Sequence, residues 1–334
     1  MEDNDLERSV VWVGKRLAIM FVIVLVVSFG FYVLHAILGV RYEGISIGIG
    51  ILFVLPACLS ALVTLAIDPD DDKPIASFRT VPVQTIGVIL VLGGIFLQEG
   101  IICIVILAPL WLIGAAVGSI LVYNLQAQYR EKFKPTVMKC SVLVFLPFLA
   151  LFFDANFEQS TQEYRVTRSV IIETSAENIW PHLLEMNDLQ VSEGRWNVAQ
   201  NMLGIPRPRS AKITGRGVGA VRMAHWGEHI SFEEHITEWS QYKKLMWTFY
   251  FPNDSLQHHT DRHISPDGAH LKILDGGYRL RSLGAHRTEL ILHTRYIAKT
   301  PVNTYSALWG QLFLGGIQNN VLHIVKDRAE LSPP

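Results

Sequence analysis

The stretch GIICIVILAPLWLIGAAVGSILVYNLQAQY, residues 100–129, contains no formally charged side chain. A bilayer hydrocarbon core about 30 Å thick needs about 20 predominantly apolar residues of helix to cross it. This stretch exceeds that length and therefore predicts a membrane-spanning helix. It decides the fold class of the N-terminal half, because other runs of the same character lie on both sides of it.

Those uncharged runs lie at 17–40, 44–67, 80–98 and 140–153. The last run reaches spanning length only if residues 136–137 join it and Lys139 extends its ammonium group toward the head groups. The N-terminal half is accordingly predicted to be an α-helical multi-span membrane domain over residues 1–157. Its five predicted helices cover residues 17–40, 45–67, 81–98, 102–125 and 137–153.

Basic residues near the ends of these runs predict their orientation, because Lys and Arg favour the cytoplasmic side. With five spans and a cytoplasmic N-terminus, the basic cluster between 130 and 139 lies inside. The basic residues on the outer side are then Arg41 and, just beyond the last span, Arg165 and Arg168. We therefore predict an integral multi-pass protein of the bacterial inner membrane, with its C-terminal domain extracytoplasmic. If the fifth run only lies on the membrane surface, that domain is cytoplasmic instead.

Composition separates the chain into two parts and excludes one class of function. The overall 50% hydrophobic content averages an apolar half with a second half, residues 158–334, that carries charges at the density of a soluble domain. The net charge of -1 lacks the basic excess of a phosphate-binding surface, so nucleic acid is not an expected partner. All three cysteines lie in or beside the apolar runs, so the second half forms no disulfide.

The second half has the pattern of strands followed by a long helix. A Val- and Ile-rich strand at 165–173 ends before Ser175, which is a favourable N-cap for a helix. Helical segments are expected to about residue 203, and turn residues divide 211–298 into several antiparallel strands. Apolar residues from Tyr305 to Val325 recur at helical spacing and predict a helix that packs on the sheet.

This order, together with short local motifs, resembles the START-like superfamily, also called SRPBCC, which includes polyketide cyclase/dehydrase and lipid-transport domains. The resemblance covers about residues 164–330. Its motifs are VIIE at 170–173, AENIW at 176–180, GVGAVR at 217–222, ITEW at 236–239, RTEL at 287–290, TRY at 294–296 and VLHI at 321–324. It implies an α+β helix-grip domain, with an antiparallel sheet that holds the long C-terminal helix over an apolar cavity. The superfamily includes carriers as well as enzymes, so the resemblance does not fix a reaction.

One segment departs from the family pattern. The family often carries paired histidines near the terminal helix, whereas GGIQNN occupies residues 315–320 here and leaves only His323. Chemistry that depends on those histidines is therefore not expected. Two glycines inside a helix cost about 1 kcal/mol each relative to alanine, so Gly315 and Gly316 indicate a kink or a close approach. Our hypothesis is a hinge that opens the cavity.

Side-chain alternation along the predicted strands selects candidate cavity residues. Phe232 and Ile236 share a strand face with Glu234, whose carboxylate would then point inward and act in proton transfer. The alternative is a strand edge at which Glu234 reaches solvent. The remaining candidates, from one later strand and the terminal helix, are Leu290, Leu292, Thr294, Tyr296, Trp309 and Phe313. Core packing without a ligand is the alternative for these.

The densest cluster of reactive side chains is HHTDRH at 258–263. In a strand, His259, Asp261 and His263 would lie on one face and are candidates for proton transfer, or for holding one divalent metal ion. Strand neighbours two positions apart are about 6.5 to 7 Å from each other, so shared coordination needs a bend. An exposed strand is therefore the preferred interpretation, and neither a metal ion nor another cofactor is expected.

These observations predict a membrane-tethered domain that binds a hydrophobic small molecule or lipid, for transport or sensing. The lipid bilayer and that ligand are the expected partners, and no protein partner is predicted. One alternative is an enzyme of the cyclase, dehydratase or hydrolase type on the same fold. Another is a membrane scaffold or sensor whose soluble domain holds no small ligand.

Overall fold

The computed structural model describes residues 22–23, 26–27, 29–30, 33–34, 48–67, 75–96, 100–128, 137–156, 158–260 and 265–331. The chain divides into two compact units. The first, which we call the helical unit, has the bounds Met1–Glu99 and Cys103–Gln159. The second, the C-terminal unit, has the bounds Gly100–Ile102 and Ser160–Pro334.

The helical unit contains apolar helices over four of the five segments for which spans are predicted. A π-helical turn at Gly50–Val54 leads into the first, and the helices are α1 (Leu55–Ile67), α2 (Ile75–Phe96), α3 (Ile101–Gln128) and α4 (Val137–Asn156). The predicted helix at 17–40 lies mostly outside the described residues. The predicted domain limits, 1–157 and 158–334, stay predictions.

Among the described residues, only α3 is long and apolar enough to cross a membrane. The apolar parts of the other helices are shorter, at Gly50–Leu65, Val83–Ile95 and Ser141–Asp154. The structure therefore supports one membrane-length helix by length and composition. The multi-pass arrangement and its orientation are not supported by it.

Helices α1 and α3 approach each other closely. The Ser60 hydroxyl on α1 donates to the Ala115 carbonyl of α3 at 2.6 Å. A methyl group at Gly118 would lie 2.1 Å from the Ala57 carbonyl oxygen, so only glycine fits there without a shift. Small residues and hydroxyl groups at a helix interface are typical of helices that pack in a membrane.

The C-terminal unit is a seven-stranded sheet with three helices and a second π-helical turn at Val198–Met202. Its strands are β1 (Thr161–Ile172), β2 (Pro208–Thr214), β3 (Val221–Trp226), β4 (Ile230–Ser240), β5 (Lys244–Tyr250), β6 (Leu271–Gly284) and β7 (Arg287–Lys299). Its helices are α5 (Ala176–Leu184), α6 (Ser255–His259) and α7 (Asn303–Leu331).

All neighbouring strands are antiparallel, in the order β1-β7-β6-β5-β4-β3-β2. One face of the sheet, which we call the inner face, packs on α5 and α7 and forms the main core of the unit. A sheet that holds a long C-terminal helix in this way is the helix-grip architecture. The predicted helix-grip fold of the second half, an antiparallel sheet with a long C-terminal helix, is therefore confirmed.

Helix α7 also covers the edge strand β1. Amide groups of Gln311 and Gln318 donate to the Arg165 and Val166 carbonyl oxygens, each at 3.2 Å. These side-chain hydrogen bonds join α7 to β1 in addition to the apolar contacts of the core.

Helix α7 continues without a break through Gly315 and Gly316. A methyl group at Gly315 would lie 2.3 Å from Nη2 of Arg168 on β1. The close approach predicted for this glycine pair is therefore confirmed, and the kink stays a prediction. The hinge stays a hypothesis.

Candidate functional site

Strand β4 places Glu234 inside the C-terminal unit. Its neighbours on the same face are Phe232 and Ile236, and the exposed fractions of the three residues are 5%, 6% and 2% in that order. The strand alternates buried and partly buried residues from Ile230 to Ile236, as expected when one face meets a core. The carboxylate therefore lies among apolar groups, and the alternative in which it reaches solvent is wrong.

The partner of Glu234 is Arg222 on the adjacent strand. The two residues are directly opposite in the β3–β4 register. Their side chains form an ion pair and a hydrogen bond from Nη1 to Oε2, and they are only 4% and 7% exposed. A buried charge pair of this kind is costly to desolvate unless its geometry and hydrogen bonds offset the cost.

Burial controls the electrostatics of this pair and of a nearby tyrosine. Burial raises the pKa of the Glu234 carboxyl above its ordinary value, although the Arg222 guanidinium acts in the opposite direction. Burial also raises the pKa of Tyr278 to about 12, with smaller and opposed effects from Arg222 and Glu234. The three groups are thus close enough to influence one another, and the tyrosine stays protonated at neutral pH.

Aromatic residues lie on the strands next to the ion pair. Phe249 is opposite Glu234 in the β4–β5 register, and its ring centroid lies 6.0 Å from that of Phe232. The Trp247 ring lies 5.2 Å from Tyr278 and 6.1 Å from Phe249, between centroids. The charged pair and the polar atoms of the tryptophan and tyrosine therefore form a polar cluster, and the remaining rings give it an aromatic environment. We call Arg222, Glu234, Trp247 and Tyr278 the inner polar cluster.

Two buried N–H groups of the inner polar cluster have no hydrogen-bond partner among the described residues. They are Arg222 Nε and Trp247 Nε1. A buried donor without a partner costs about 1 to 3 kcal/mol, so native proteins contain few of them. Acceptor atoms from outside the chain would satisfy these groups.

The predicted residues on β7 lie on the same inner face. Leu290 and Leu292 belong to the main core, with exposed fractions of 0% and 6%. Thr294 Oγ1 accepts a 3.0 Å hydrogen bond from Gln318 Nε2 of α7. Burial raises the pKa of Tyr296 to about 12, and its hydroxyl has no partner among the described residues.

The two predicted residues on α7 contact each other. The rings of Trp309 and Phe313 are 5.3 Å apart, and both residues are partly buried. Neither belongs to the core clusters that the described residues form. They therefore lie outside the packed interior in which Glu234 is found.

The histidine cluster does not form the predicted strand where the structure describes it. His259 is the last residue of the short helix α6, because the segment from Ser255 closes a helical turn here. Asp261 and His263 lie outside the described residues. No group of His, Cys, Asp and Glu that suits a metal ion is present in the described parts of the chain.

Three members of the inner polar cluster, Arg222, Trp247 and Tyr278, were not among the predicted site residues. Arg222 lies in the GVGAVR motif, next to Gly219 and Ala220. Residues two positions apart share a strand face, so an arginine between Ala220 and Ala224 on one face indicates a charged side chain that points into the core. Its pairing with Glu234 depends on the register between β3 and β4, which the sequence alone does not give.

No protein-family model and no curated protein sequence matches this chain. Among solved structures it is similar to the Zhui aromatase/cyclase from a Streptomyces species, at 17% identity and a TM-score of 0.33, over 51% of this chain and 94% of that one. It is similar to norcoclaurine synthase from Thalictrum flavum, at 14% identity and a TM-score of 0.33, over 52% and 91% of the two chains. A conserved protein of unknown function from Enterococcus faecalis has 15% identity and a TM-score of 0.28, over 53% and 79%.

Proposed function

We propose that this chain is a multi-pass membrane protein whose START-like unit binds an apolar molecule, such as a lipid, between its sheet and α7. The observation that carries the proposal is the inner polar cluster, in which Arg222 Nε and Trp247 Nε1 have no partner among the described residues. Small-molecule sites are mostly apolar, with a few placed polar groups that fix the orientation of the ligand. The inner face has this composition.

Uptake of a ligand requires the C-terminal unit to open. Leu245 and Leu290 are 0% exposed, and Trp247 is 3% exposed, so the inner face is closed in the described conformation. Helix α7 closes it, and Gly315 and Gly316 are the positions at which that helix can bend most easily. We propose that α7 moves away from the sheet to admit the ligand.

The helical unit would hold the binding unit at the bilayer. The length and composition of α3 support at least one membrane span. Large apolar side chains on α4, such as Phe145 and Phe152, are 68% and 66% exposed, which suits contact with lipid tails. Tethering raises the effective concentration of the binding unit near molecules that dissolve poorly in water.

A second candidate function is an enzyme in which Glu234 transfers a proton. The raised pKa of its buried carboxyl favours this role, because a general acid or base works best when its pKa is near the working pH. In that case Glu234→Gln removes turnover and leaves ligand binding in place. His259→Ala should have the same effect if the histidine segment carries the reaction.

The experiment for the proposed function is mass spectrometry of small molecules extracted from the gently solubilised, full-length protein. We expect an apolar molecule at close to one per chain, above a detergent blank. The matched variant replaces both charges, Arg222→Met with Glu234→Met, because removing a buried pair together is often tolerated. We expect this variant to keep its thermal unfolding transition and to lose most of the extracted molecule.

Extraction of nothing above the blank, from protein with an intact unfolding transition, would count against binding. It would favour the scaffold or sensor, in which the interior is filled by its own side chains. An extracted molecule that is equally abundant in the double variant would show that it binds elsewhere, for example on the helical unit.

A further inference from the structure

We infer that the molecule bound at the inner polar cluster is uncharged and presents an oxygen acceptor, such as an ester or ketone carbonyl, to Arg222 Nε and Trp247 Nε1. This inference rests on the proposed function and specifies the chemical class of its ligand. It excludes fatty-acid anions and long-chain amines as the preferred occupants.

The first reason is the kind of atom left without a partner. Both buried, unpartnered side-chain atoms of the inner polar cluster are N–H donors. Arginine carries donors only, and the indole of tryptophan carries one donor and no acceptor. A carbonyl oxygen accepts such hydrogen bonds through its lone pairs without carrying a formal charge.

The second reason is charge. The guanidinium of Arg222 already pairs with Glu234, and both side chains are more than nine-tenths buried. An entering carboxylate would compete with Glu234 for one arginine, and an entering ammonium group would compete with Arg222 for one carboxylate. Either would leave a surplus charge in an apolar interior, which is strongly unfavourable.

The third reason is the arrangement of the two donors within one patch. Trp247 is opposite Ile236, which lies two residues from Glu234 on the same face of β4. The Trp247 ring contacts Tyr278, whose pKa responds to both Arg222 and Glu234. The two donors thus belong to one patch, and the aromatic rings around it suit an aliphatic or polycyclic body next to the polar atom.

The experiment compares four probes of equal chain length: methyl hexadecanoate, hexadecane, hexadecanoate and hexadecylammonium. Each is incubated with the purified full-length protein in detergent at about pH 8, and the probe retained after gel filtration is measured by mass spectrometry. We expect about tenfold tighter retention of the ester than of hexadecane, which corresponds to about 1.4 kcal/mol. We expect both charged probes to be retained less than the ester by a similar factor or more.

A matched pair of variants tests the assigned donor. Trp247→Phe keeps an aromatic ring and removes the N–H, and Trp196→Phe makes the same change at a site that is 65% exposed. We expect Trp247→Phe to lower retention of the ester about threefold to fivefold and to leave hexadecane unchanged. Trp196→Phe should change neither.

The outcomes separate this inference from the proposed function. Retention of hexadecanoate or hexadecylammonium at least as strong as that of the ester would overturn the inference while supporting an apolar binding site. An equal effect of Trp247→Phe on ester and hexadecane would overturn it as well. Retention of none of the four probes would overturn the inference together with the proposed function.

Discussion

The two units of this chain differ in what they expose and what they bury. In the helical unit Phe145 and Phe152 are more than half exposed, whereas Ser60 and Thr64 are 0% exposed. In the C-terminal unit Leu245 and Leu290 are completely buried. The exposed phenylalanines of the first unit suit the lipid contact that we propose for it. The buried ion pair between Arg222 and Glu234 is an exception to the apolar core of the second unit, and we place function there.

The largest expected effect concerns that exception. Glu234→Met alone leaves the Arg222 guanidinium buried without its partner, which should lower the free energy of unfolding by about 3 to 5 kcal/mol. Thermal or denaturant unfolding of the full-length protein in detergent, followed by tryptophan fluorescence, measures this effect. The double variant with Arg222→Met should recover most of the loss. Equal destabilisation by the single and double variants would mean that the charges do not depend on each other.

The second prediction places the same charge at two equally exposed positions, one in each unit. Phe145 and Val218 are both 68% exposed. With α4 spanning the membrane, as proposed, Phe145→Lys should disfavour its insertion by about 2.5 to 3.5 kcal/mol, because a lysine at the centre of a span is poorly tolerated. Val218→Lys should change stability by no more than about 0.5 kcal/mol. The fraction of protein that resists carbonate extraction from membranes measures the first effect. Equal fractions for the two variants would contradict the proposed difference in environment between the two units.

The third prediction compares close approaches of a glycine in the two units. A methyl group at Gly118 would meet the Ala57 backbone oxygen at 2.1 Å, and one at Gly310 would meet the Tyr296 hydroxyl at 2.1 Å. A backbone atom can move less than a side-chain atom to make room for the added methyl group. Gly118→Ala should therefore lower the free energy of unfolding by about 1 to 3 kcal/mol, and Gly310→Ala should lower it by less. Gly87→Ala is the control, since nothing lies within 4 Å of the added methyl group there. Thermal unfolding of the three variants ranks them, and the opposite ranking of Gly118 and Gly310 would contradict the packing described.

The smallest expected effect is an ion pair on the surface of the C-terminal unit. Arg328 donates to both carboxylate oxygens of Glu193, at 2.7 and 2.8 Å, and these hydrogen bonds lower the pKa of Glu193 below its ordinary value of 4.5. A lowered pKa in the native state adds stability above the ordinary value, and that stability is lost as the pH falls through the native pKa.

Glu193→Gln should therefore lower the free energy of unfolding by about 1 kcal/mol at neutral pH and by less in acid. Unfolding curves of both proteins at several pH values test this, with Glu228→Gln as a control at a side chain that is 76% exposed. A difference that grows as the pH falls would reverse the assigned sign.

The sequence predicts much of the fold, because the fold depends on local patterns. Alternation in β4 places Glu234 inside, and the helical period from Tyr305 onward gives α7. The inner polar cluster depends instead on the exact register between the consecutive strands β3, β4 and β5, which alternation alone does not fix, so the sequence does not predict Arg222 and Trp247. The sequence places His259 within the region of strands and turns at 211–298, whereas it is the last residue of the short helix α6.

The central claim is that an apolar molecule binds on the inner face of the C-terminal unit. Photolabelling tests it most directly, with a diazirine-bearing derivative of methyl hexadecanoate added to membranes that contain the full-length protein. Peptide mapping should find adducts within residues 221–250, and excess methyl hexadecanoate should compete them away. Adducts confined to residues 101–156, with none competed within 161–331, would contradict the claim.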